Sequence, residues 1–167
     1  MMFRSGYKFF SRIAAMATLA STLSFAWTPT GSMHTARASH TATLLPSGLV
    51  LVAGGTSDAN IPLATGELYN SASGTWNSAG NLNTARVSAG AVLLSNGNVL
   101  VMGGCIGSDC LGSTTRSAEV YNPGTGNWMV TGSMKTARAE FVAVLLPNGM
   151  VLAAGGCTHA CRIQVAG

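Results

Sequence analysis

The chain has 167 residues, of which 47% are hydrophobic and 8% are charged, and its formal net charge is +4. Three of the nine basic residues lie within positions 1–26, so the remainder carries six basic and five acidic residues, a net charge of +1. This balance leaves no basic patch for a phosphate backbone, and it argues against a nucleic-acid-binding protein.

The first 26 residues have the pattern of a secretory signal peptide. Their three basic residues precede an uncharged apolar stretch over residues 13–26, which ends with the small residues Ser24 and Ala26. The stretch is too short to cross about 30 Å of hydrocarbon. We therefore expect cleavage before Trp27 and a secreted or periplasmic product that keeps no membrane attachment. Neither a twin arginine nor a following cysteine indicates Tat export or a lipoprotein.

A 25-residue segment then occurs three times, at residues 31–55, 80–104 and 132–156. Twelve of its 25 positions are identical in all three copies, including Thr-Ala-Arg, Leu-Leu, Val-Leu and a final Gly-Gly. A period near 50 residues is typical of propellers and solenoids, in which each unit buries its faces against its neighbours. The chain is therefore predicted to be all-β and built from repeated units.

Each copy contains a predicted β-hairpin. A turn of Pro-Ser-Gly, Ser-Asn-Gly or Pro-Asn-Gly follows Leu-Leu. It fits a type I turn that ends with glycine in the left-handed region. The next runs, over residues 49–53, 99–102 and 150–154, are apolar without alternation. Such short, glycine-bounded runs favour strands that are covered on both faces over a buried helix.

A second hairpin is predicted after a loop of variable length. In the first unit, alternating residues around Tyr69 lead to Trp76 through a turn that begins with Asn70 and contains a glycine, and Tyr121 and Trp128 repeat the pattern. Four strands per unit result. The units of 49 and 52 residues differ in length only in the loop after Gly-Gly, at residues 56–66 and 105–118.

Gly-Gly, then Tyr, then Trp on this period resembles the kelch repeat, over residues 27–156. The resemblance implies four-stranded antiparallel β-propeller blades, with the strand before the turn nearest the central channel and the Trp strand outermost. The style of the repeat is most similar to extracellular bacterial kelch proteins and to the central propeller of galactose oxidase. The positions expected to serve the repeat itself are Arg37, Gly54, Gly55, Glu67, Tyr69, Trp76, Arg86, Gly103, Gly104, Glu119, Tyr121, Trp128, Arg138, Gly155 and Gly156.

About two and a half repeats are present, because the third copy is followed by only eleven residues, 157–167. A closed ring needs about 4 to 8 blades. We therefore expect an incomplete ring with open strand edges. Further blades are expected from a longer chain or from oligomerisation, and a partial gene product without independent activity is a third possibility.

The repeated arginines Arg37, Arg86 and Arg138 allow two interpretations. In the first, they pair with the repeat glutamates Glu67 and Glu119, or cap backbone carbonyls between blades. In the second, they form a functional ring at the mouth of the channel. Residues that recur in every unit usually serve the unit. We therefore favour the structural role.

Cysteine placement predicts two disulfides. Cys105 and Cys157 each follow Gly-Gly, and each precedes a second cysteine in the same loop, Cys110 or Cys161. In an exported chain this favours the pairs Cys105–Cys110 and Cys157–Cys161, which would fix loop shape. A zinc site at residues 157–161 is disfavoured because it offers three ligands instead of four.

No metal, cofactor or catalytic residue is assigned from the sequence. His34 and His40 are interpreted as variable channel-side or surface positions, because the other copies hold no histidine there. The leading hypothesis is a secreted, non-catalytic module that presents its variable loops to a protein or glycan. The alternative is a fragment of a galactose-oxidase-like copper enzyme or of a larger multidomain propeller protein. A sialidase-like propeller is weaker, because the turn at residues 73–76 resembles an Asp-box without its aspartate.

Overall fold

The structure is a computed structural model that describes residues 29–107, 110 and 112–158. The predicted signal peptide and Cys161 lie outside these residues. The described part of the chain contains ten β-strands. They are β1 Thr41–Leu44, β2 Val50–Ala53, β3 Thr65–Asn70, β4 Thr75–Asn81, β5 Gly90–Leu93, β6 Val99–Met102, β7 Ala118–Asn122, β8 Asn127–Thr131, β9 Val142–Leu145 and β10 Val151–Ala154.

The strands form three antiparallel sheets in chain order. The first sheet is β1-β2-β3-β4, the second is β5-β6-β7-β8, and the third holds β9 and β10. The four-stranded unit is thus confirmed twice, and no closed ring is formed by the described strands. The third-strand boundaries differ slightly from the prediction, since β3 begins at Thr65, inside the expected loop.

The first hairpin of each sheet closes as predicted. Leu45 and Leu49 are joined by a main-chain hydrogen bond of 2.8 Å, and the Gly48 N–H donates to the Leu45 carbonyl at 2.9 Å. Gly48 has φ of 83°, and the equivalent Gly97 and Gly149 have φ of 83° and 81°. Glycine is needed there because a side chain disfavours this left-handed conformation.

The second hairpin depends on asparagine. The Asn70 side chain accepts the Ala72 N–H at 2.9 Å, and the Asn122 side chain accepts the Gly124 N–H at the same distance. Each turn closes with a glycine N–H donated to the asparagine carbonyl at 2.8 Å. These side-chain-to-backbone bonds are the reason asparagine starts the turn.

Aromatic pairs join β3 to β4 and β7 to β8. Tyr69 lies opposite Trp76 with ring centroids 4.9 Å apart, and Tyr121 lies opposite Trp128 at 5.0 Å. The Trp128 indole N–H also donates to the Ala79 carbonyl of the first sheet at 2.9 Å. Each tryptophan therefore stabilises its hairpin by packing against the tyrosine, and Trp128 also joins two sheets by a hydrogen bond.

The sheets pack face to face, with β1 next to β5 and β5 next to β9. One core cluster lies between the first two sheets and includes Leu51, Val99 and Tyr121, which are 1%, 0% and 1% exposed. A second cluster between the second and third sheets includes Met102 and Phe141. The central strands β2 and β6 are therefore covered on both faces, as their unalternating sequences predicted.

The outer face of the third sheet is different. Leu152 occupies the repeat position of Leu51 but is 49% exposed, and Val144 occupies the position of Val92 but is 47% exposed. The apolar pattern of the repeat is thus kept on β9 and β10, while nothing in the described part of the chain covers that face. The prediction of two covered faces fails for β10, because burial requires a following sheet.

Candidate binding face

The variable loops all leave one end of the sheets, which we call the loop face. It comprises the described residues of the loops after Gly-Gly, at 56–64 and at 105–107, 110 and 112–116, and the connections between sheets, at residues 82–89 and 132–141. Successive strands run antiparallel, so these segments share one end and the tight hairpin turns share the other.

The two variable loops start from the same backbone hydrogen bonds. Gly54 donates to the Thr65 carbonyl at 3.2 Å, and Gly103 donates to the Ser117 carbonyl at 3.0 Å. The first loop residue also forms an isolated antiparallel β-bridge with the segment that leads into the first strand of its sheet. Thr56 pairs with Ala38 in this way, and Cys105 pairs with Val87. The loops therefore differ in length and sequence above a fixed base.

Both loops expose an isoleucine, but they differ in how they are held. Ile61 is 60% exposed in the shorter loop, and Ile106 is 51% exposed in the longer one. The longer loop holds the predicted disulfide between Cys105 and Cys110, with Cα atoms 5.1 Å apart. Cys157 is also disulfide-bonded, but Cys161 lies outside the described residues, so the second predicted pair stays a prediction.

Beneath the loop face, Arg86 and Glu119 form a buried ion pair. The Arg86 guanidinium lies 2.8 Å from the Glu119 carboxylate, and the two side chains are 0% and 1% exposed. Arg86 also donates to the carbonyls of Gly103 and Ser117 at 2.9 and 3.0 Å. One side chain thereby joins the connection, the end of β6 and the start of β7.

The first sheet repeats this arrangement. Arg37 lies 2.7 Å from the Glu67 carboxylate and donates to the carbonyls of Gly54 and Thr65, each at 2.8 Å. All these partners belong to the same unit as the arginine. The predicted pairing with the repeat glutamates is therefore formed in the first two sheets, whereas the alternative, capping of carbonyls between blades, is not seen for these side chains. The bond between units instead uses the main chain, where Gly55 donates to the Arg86 carbonyl at 2.9 Å.

The surroundings of both glutamates favour the charged carboxylate. Burial alone would raise the pKa of Glu119, but hydrogen bonds from the Asn83 side chain and main chain and from Arg86 outweigh it. The pKa of Glu67 is likewise lowered, because hydrogen bonds from His34, Arg37 and Thr35 outweigh its burial. The pKa values of both carboxylates therefore lie below the ordinary value for glutamate.

Arg138 differs from the other two arginines. It is only partly buried, and it donates to the Gly155 carbonyl at 2.9 Å. Among the described residues no carboxylate pairs with it. The three arginines therefore do not form a uniform set, since two are enclosed within a sheet and the third is accessible.

The Gly-Gly doublet is required by close backbone approach. A Cβ on Gly54 would lie 2.6 Å from the Arg86 carbonyl oxygen of the next unit, and one on Gly103 would lie 2.5 Å from that of Arg138. Both residues also have positive φ. The first glycine of the doublet therefore permits the contact between units. Gly104 and Gly156 approach their own connections in a similar way.

The two histidines lie near the first arginine. His34 has a 67% exposed side chain that lies 3.1 Å from Glu67. His40 is partly buried, and burial followed by the charge of Arg37 lowers the pKa of its imidazole. Within the described ranges, no group of three His, Cys, Asp or Glu side chains is placed to hold a metal ion.

Two features were missed by the sequence analysis. The first is a left-handed backbone at Ser39, Ser88 and Glu140, which have φ of 51°, 53° and 56°. The main-chain N–H of Ser88 donates to the Ser39 carbonyl, and that of Glu140 donates to the Ser88 carbonyl, each at 3.0 Å and each between successive units. The only sequence signal was their common repeat position. On the hairpin-turn end, a groove of about 530 Å³ lies between the first two sheets, lined in part by Asn96 and Asn122.

In the described part of the chain, no helix has the length and apolar character to span a membrane. No curated protein shows significant similarity to the chain. A family model described as Kelch motif matches residues 86–135, which run from the buried Arg86 through β8. The chain therefore contains a kelch motif, carried within four-stranded antiparallel sheets that have the architecture of kelch blades.

Proposed function

We propose that this protein is a secreted, non-catalytic binding module that presents the loop face to a protein or glycan ligand. The observation that carries the proposal is the contrast between a fixed base and variable tips. The loops at 56–64 and 105–116 start from matching hydrogen bonds, yet they differ in length, sequence and disulfide content. Rigid scaffolds with variable loops commonly bind through those loops.

The buried ion pairs support this contrast between a fixed base and variable loops. Arg37 and Arg86 are used within their sheets, so in the first two units the repeated arginine and glutamate stabilise the base of the loops and leave recognition to the loops themselves. The loops expose the apolar side chains of Ile61 and Ile106 within sequences that also contain polar residues. Such a mixed surface suits contact with another macromolecule.

The test is a loop exchange in the full-length protein. Residues 105–116 are replaced by residues 56–64, which start from equivalent bonds, and binding to arrays of glycans and of secreted proteins is compared with that of the wild type. We expect the loop-exchange variant to lose binding to the ligands of the wild-type protein. A matched control exchanges the turn at 122–127 for that at 70–75 on the opposite end, and it should bind normally.

Two outcomes would contradict the proposal. Ligands that bind the loop-exchange variant with unchanged affinity would show that the loop face is not used. Ligands lost only in the turn exchange would assign binding to the opposite end. Thermal unfolding of both variants separates loss of binding from loss of folding.

Export is tested separately. Expression of the full-length chain with its first 26 residues, followed by sequencing of the amino terminus of the exported protein, is expected to give a product that begins at Trp27. A product retained inside the cell with Met1 intact would contradict this part of the proposal.

We further propose that additional blades come from a longer chain or from oligomerisation, since the third sheet has two strands in the described residues.

A further inference from the structure

We propose that the groove between the first two sheets, at the hairpin-turn end, binds an extended, uncharged peptide segment of a partner protein. We call it the turn groove. Its first wall includes Leu45, Leu49 and Leu68, and its second wall includes Asn96, Asn98 and Asn122. The turn groove and the loop face lie at opposite ends of the same sheets, so the peptide would be a second ligand of this protein.

Both walls of the turn groove belong to complete four-stranded sheets. Leu45 and Leu49 lie on either side of the turn between β1 and β2, and Leu68 lies on β3. The other wall consists of the turn between β5 and β6 and the end of β7. The groove has a volume of about 530 Å³, which is within the range of about 300–1,000 Å³ that is usual for ligand sites. Its shape therefore follows from the packing of two sheets that are each described in full.

The first wall is apolar. Leu45 is 2% exposed and belongs to the core cluster between the two sheets, whereas Leu49 and Leu68 pack against that cluster and stay partly exposed. The described residues that line the groove are all uncharged. A charged group placed there would lose its water without gaining an ionic partner. The wall therefore favours an uncharged ligand that places an apolar side chain on the leucines.

The second wall offers carboxamide groups that are fixed in place. The Asn96 Oδ1 accepts the Asn98 N–H at 3.1 Å, and the Asn122 Oδ1 accepts the Gly124 N–H at 2.9 Å. These bonds hold both side chains, and within the described part of the chain they leave each Nδ2 group without an acceptor. Each Nδ2 group carries two N–H donors. An extended peptide suits this wall because its backbone presents carbonyl acceptors along its length.

Asn98 distinguishes this turn from the turns of the other two units. The same repeat position holds Leu49 in the first unit and Met150 in the third, so the turn itself does not need a polar side chain there. Asn98 is partly buried, and its carboxamide forms no hydrogen bond with any described residue. Polar groups in such places usually have a partner. A peptide group of the ligand, which has one donor and one acceptor, can pair with both ends of this carboxamide.

A neutral glycan also offers hydrogen-bond acceptors. Among the described residues that line the groove, however, there is no aromatic ring on which a sugar ring could stack. The leucines of the first wall instead match an aliphatic side chain. We therefore assign the turn groove to a peptide, and binding of a glycan is one of the outcomes that the test distinguishes.

The probe is a phage-displayed library of random heptapeptides, selected against the full-length protein. Selected peptides are synthesised with blocked termini and a fluorescein label, and their affinities are measured by fluorescence anisotropy. We expect uncharged sequences with a central apolar residue, bound at one peptide per chain. The variant in which residues 105–116 are replaced by residues 56–64 should bind them with unchanged affinity, which separates the turn groove from the loop face.

The decisive variant is Asn98→Leu. It introduces the residue that the first unit holds at this position, and it removes no side-chain hydrogen bond formed with a described residue. The variant should therefore fold as the wild type does, which thermal unfolding will show. Its affinity for the peptides should fall about tenfold, because the hydrogen bonds of one carboxamide are lost.

A matched pair of variants separates binding from the stability of the turn. Asn122→Ala and Asn70→Ala each remove the same side-chain-to-backbone bond of 2.9 Å, but only Asn122 lines the turn groove. Both variants should show similar shifts in thermal unfolding. Only Asn122→Ala should bind the peptides more weakly.

Four results would overturn the inference. The first two are a selection that yields no peptide for the folded protein, and equal peptide affinities of the wild type and Asn98→Leu. The third is an equal loss of affinity in Asn122→Ala and Asn70→Ala, which would report on turn stability alone. The fourth is displacement of the peptides by the neutral glycan maltotriose, which would assign the turn groove to a sugar.

Discussion

The buried ion pair of the second sheet makes the sharpest stability prediction. Arg86→Ala removes the partner of a Glu119 carboxylate that is 1% exposed, and it also leaves the Gly103 and Ser117 carbonyls without their guanidinium donor. Removing one member of a buried pair typically costs about 3–5 kcal/mol. Since whole domains are stable by about 5–15 kcal/mol, this single change should remove a large part of the free energy of unfolding.

The control is Arg138→Ala, which changes the same repeat position in the third unit. Arg138 is accessible, and its one described hydrogen bond is to a carbonyl, so its loss should cost about 0.5–1.5 kcal/mol. Urea unfolding followed by tryptophan fluorescence gives both free energies of unfolding. Nearly equal losses for Arg86→Ala and Arg138→Ala would refute the argument that enclosure by a third strand makes the pair important.

A second variant separates the charge from the packing. Replacing both partners, as Arg86→Met with Glu119→Leu, leaves no buried charge, so it should recover part of the stability lost in Arg86→Ala. A double variant that is less stable than Arg86→Ala would show that the remaining hydrogen bonds of Glu119 stabilise the sheet without the arginine.

Three further predictions use the same comparison of equivalent positions. The pKa of Glu119 is lowered from its ordinary value of 4.5, so its contribution to stability is complete above that pH and is lost as the pH falls through the folded-state pKa. Urea midpoints measured from neutral to acid pH should therefore fall, and less steeply in Glu119→Gln; a midpoint that rises on acidification would contradict this. Gly103→Ala should destabilise by about 1–3 kcal/mol more than Gly155→Ala, because only the first new Cβ meets another unit, 2.5 Å from a carbonyl oxygen; equal thermal shifts would refute the contact. Leu51→Ala should cost about 2–5 kcal/mol, whereas Leu152→Ala, at a side chain 49% exposed, should cost under about 1 kcal/mol in urea unfolding; similar costs would show that Leu152 is covered in solution.

Much of the local structure follows from the sequence because its causes are local. Gly48 needs a positive φ, and the Asn70 side chain accepts a hydrogen bond from the backbone N–H two residues later. Both hairpin turns are therefore determined by short stretches of sequence. The pairing of Tyr69 with Trp76 follows from the hairpin register. Strand number, hairpin order and the position of the variable loops were predicted for this reason.

The candidate binding face was predicted only in part. The variable loops and the Cys105–Cys110 bond follow from spacing and composition. The backbone bonds from Ser88 to Ser39 and from Glu140 to Ser88 were not predicted, since three different units must come together before they form. Nothing in an isolated Ser or Glu signals a left-handed backbone.

The sequence by itself determined the repeating unit, because turn chemistry and apolar runs act over a few residues. Tertiary structure decided which of the repeated residues are buried and paired. Leu51 and Leu152 share a repeat position, as do Arg86 and Arg138, yet the members of each pair differ in exposure and partners. The physical reason is that burial and charge pairing depend on the neighbouring strand or sheet, which identical residues do not share in each unit.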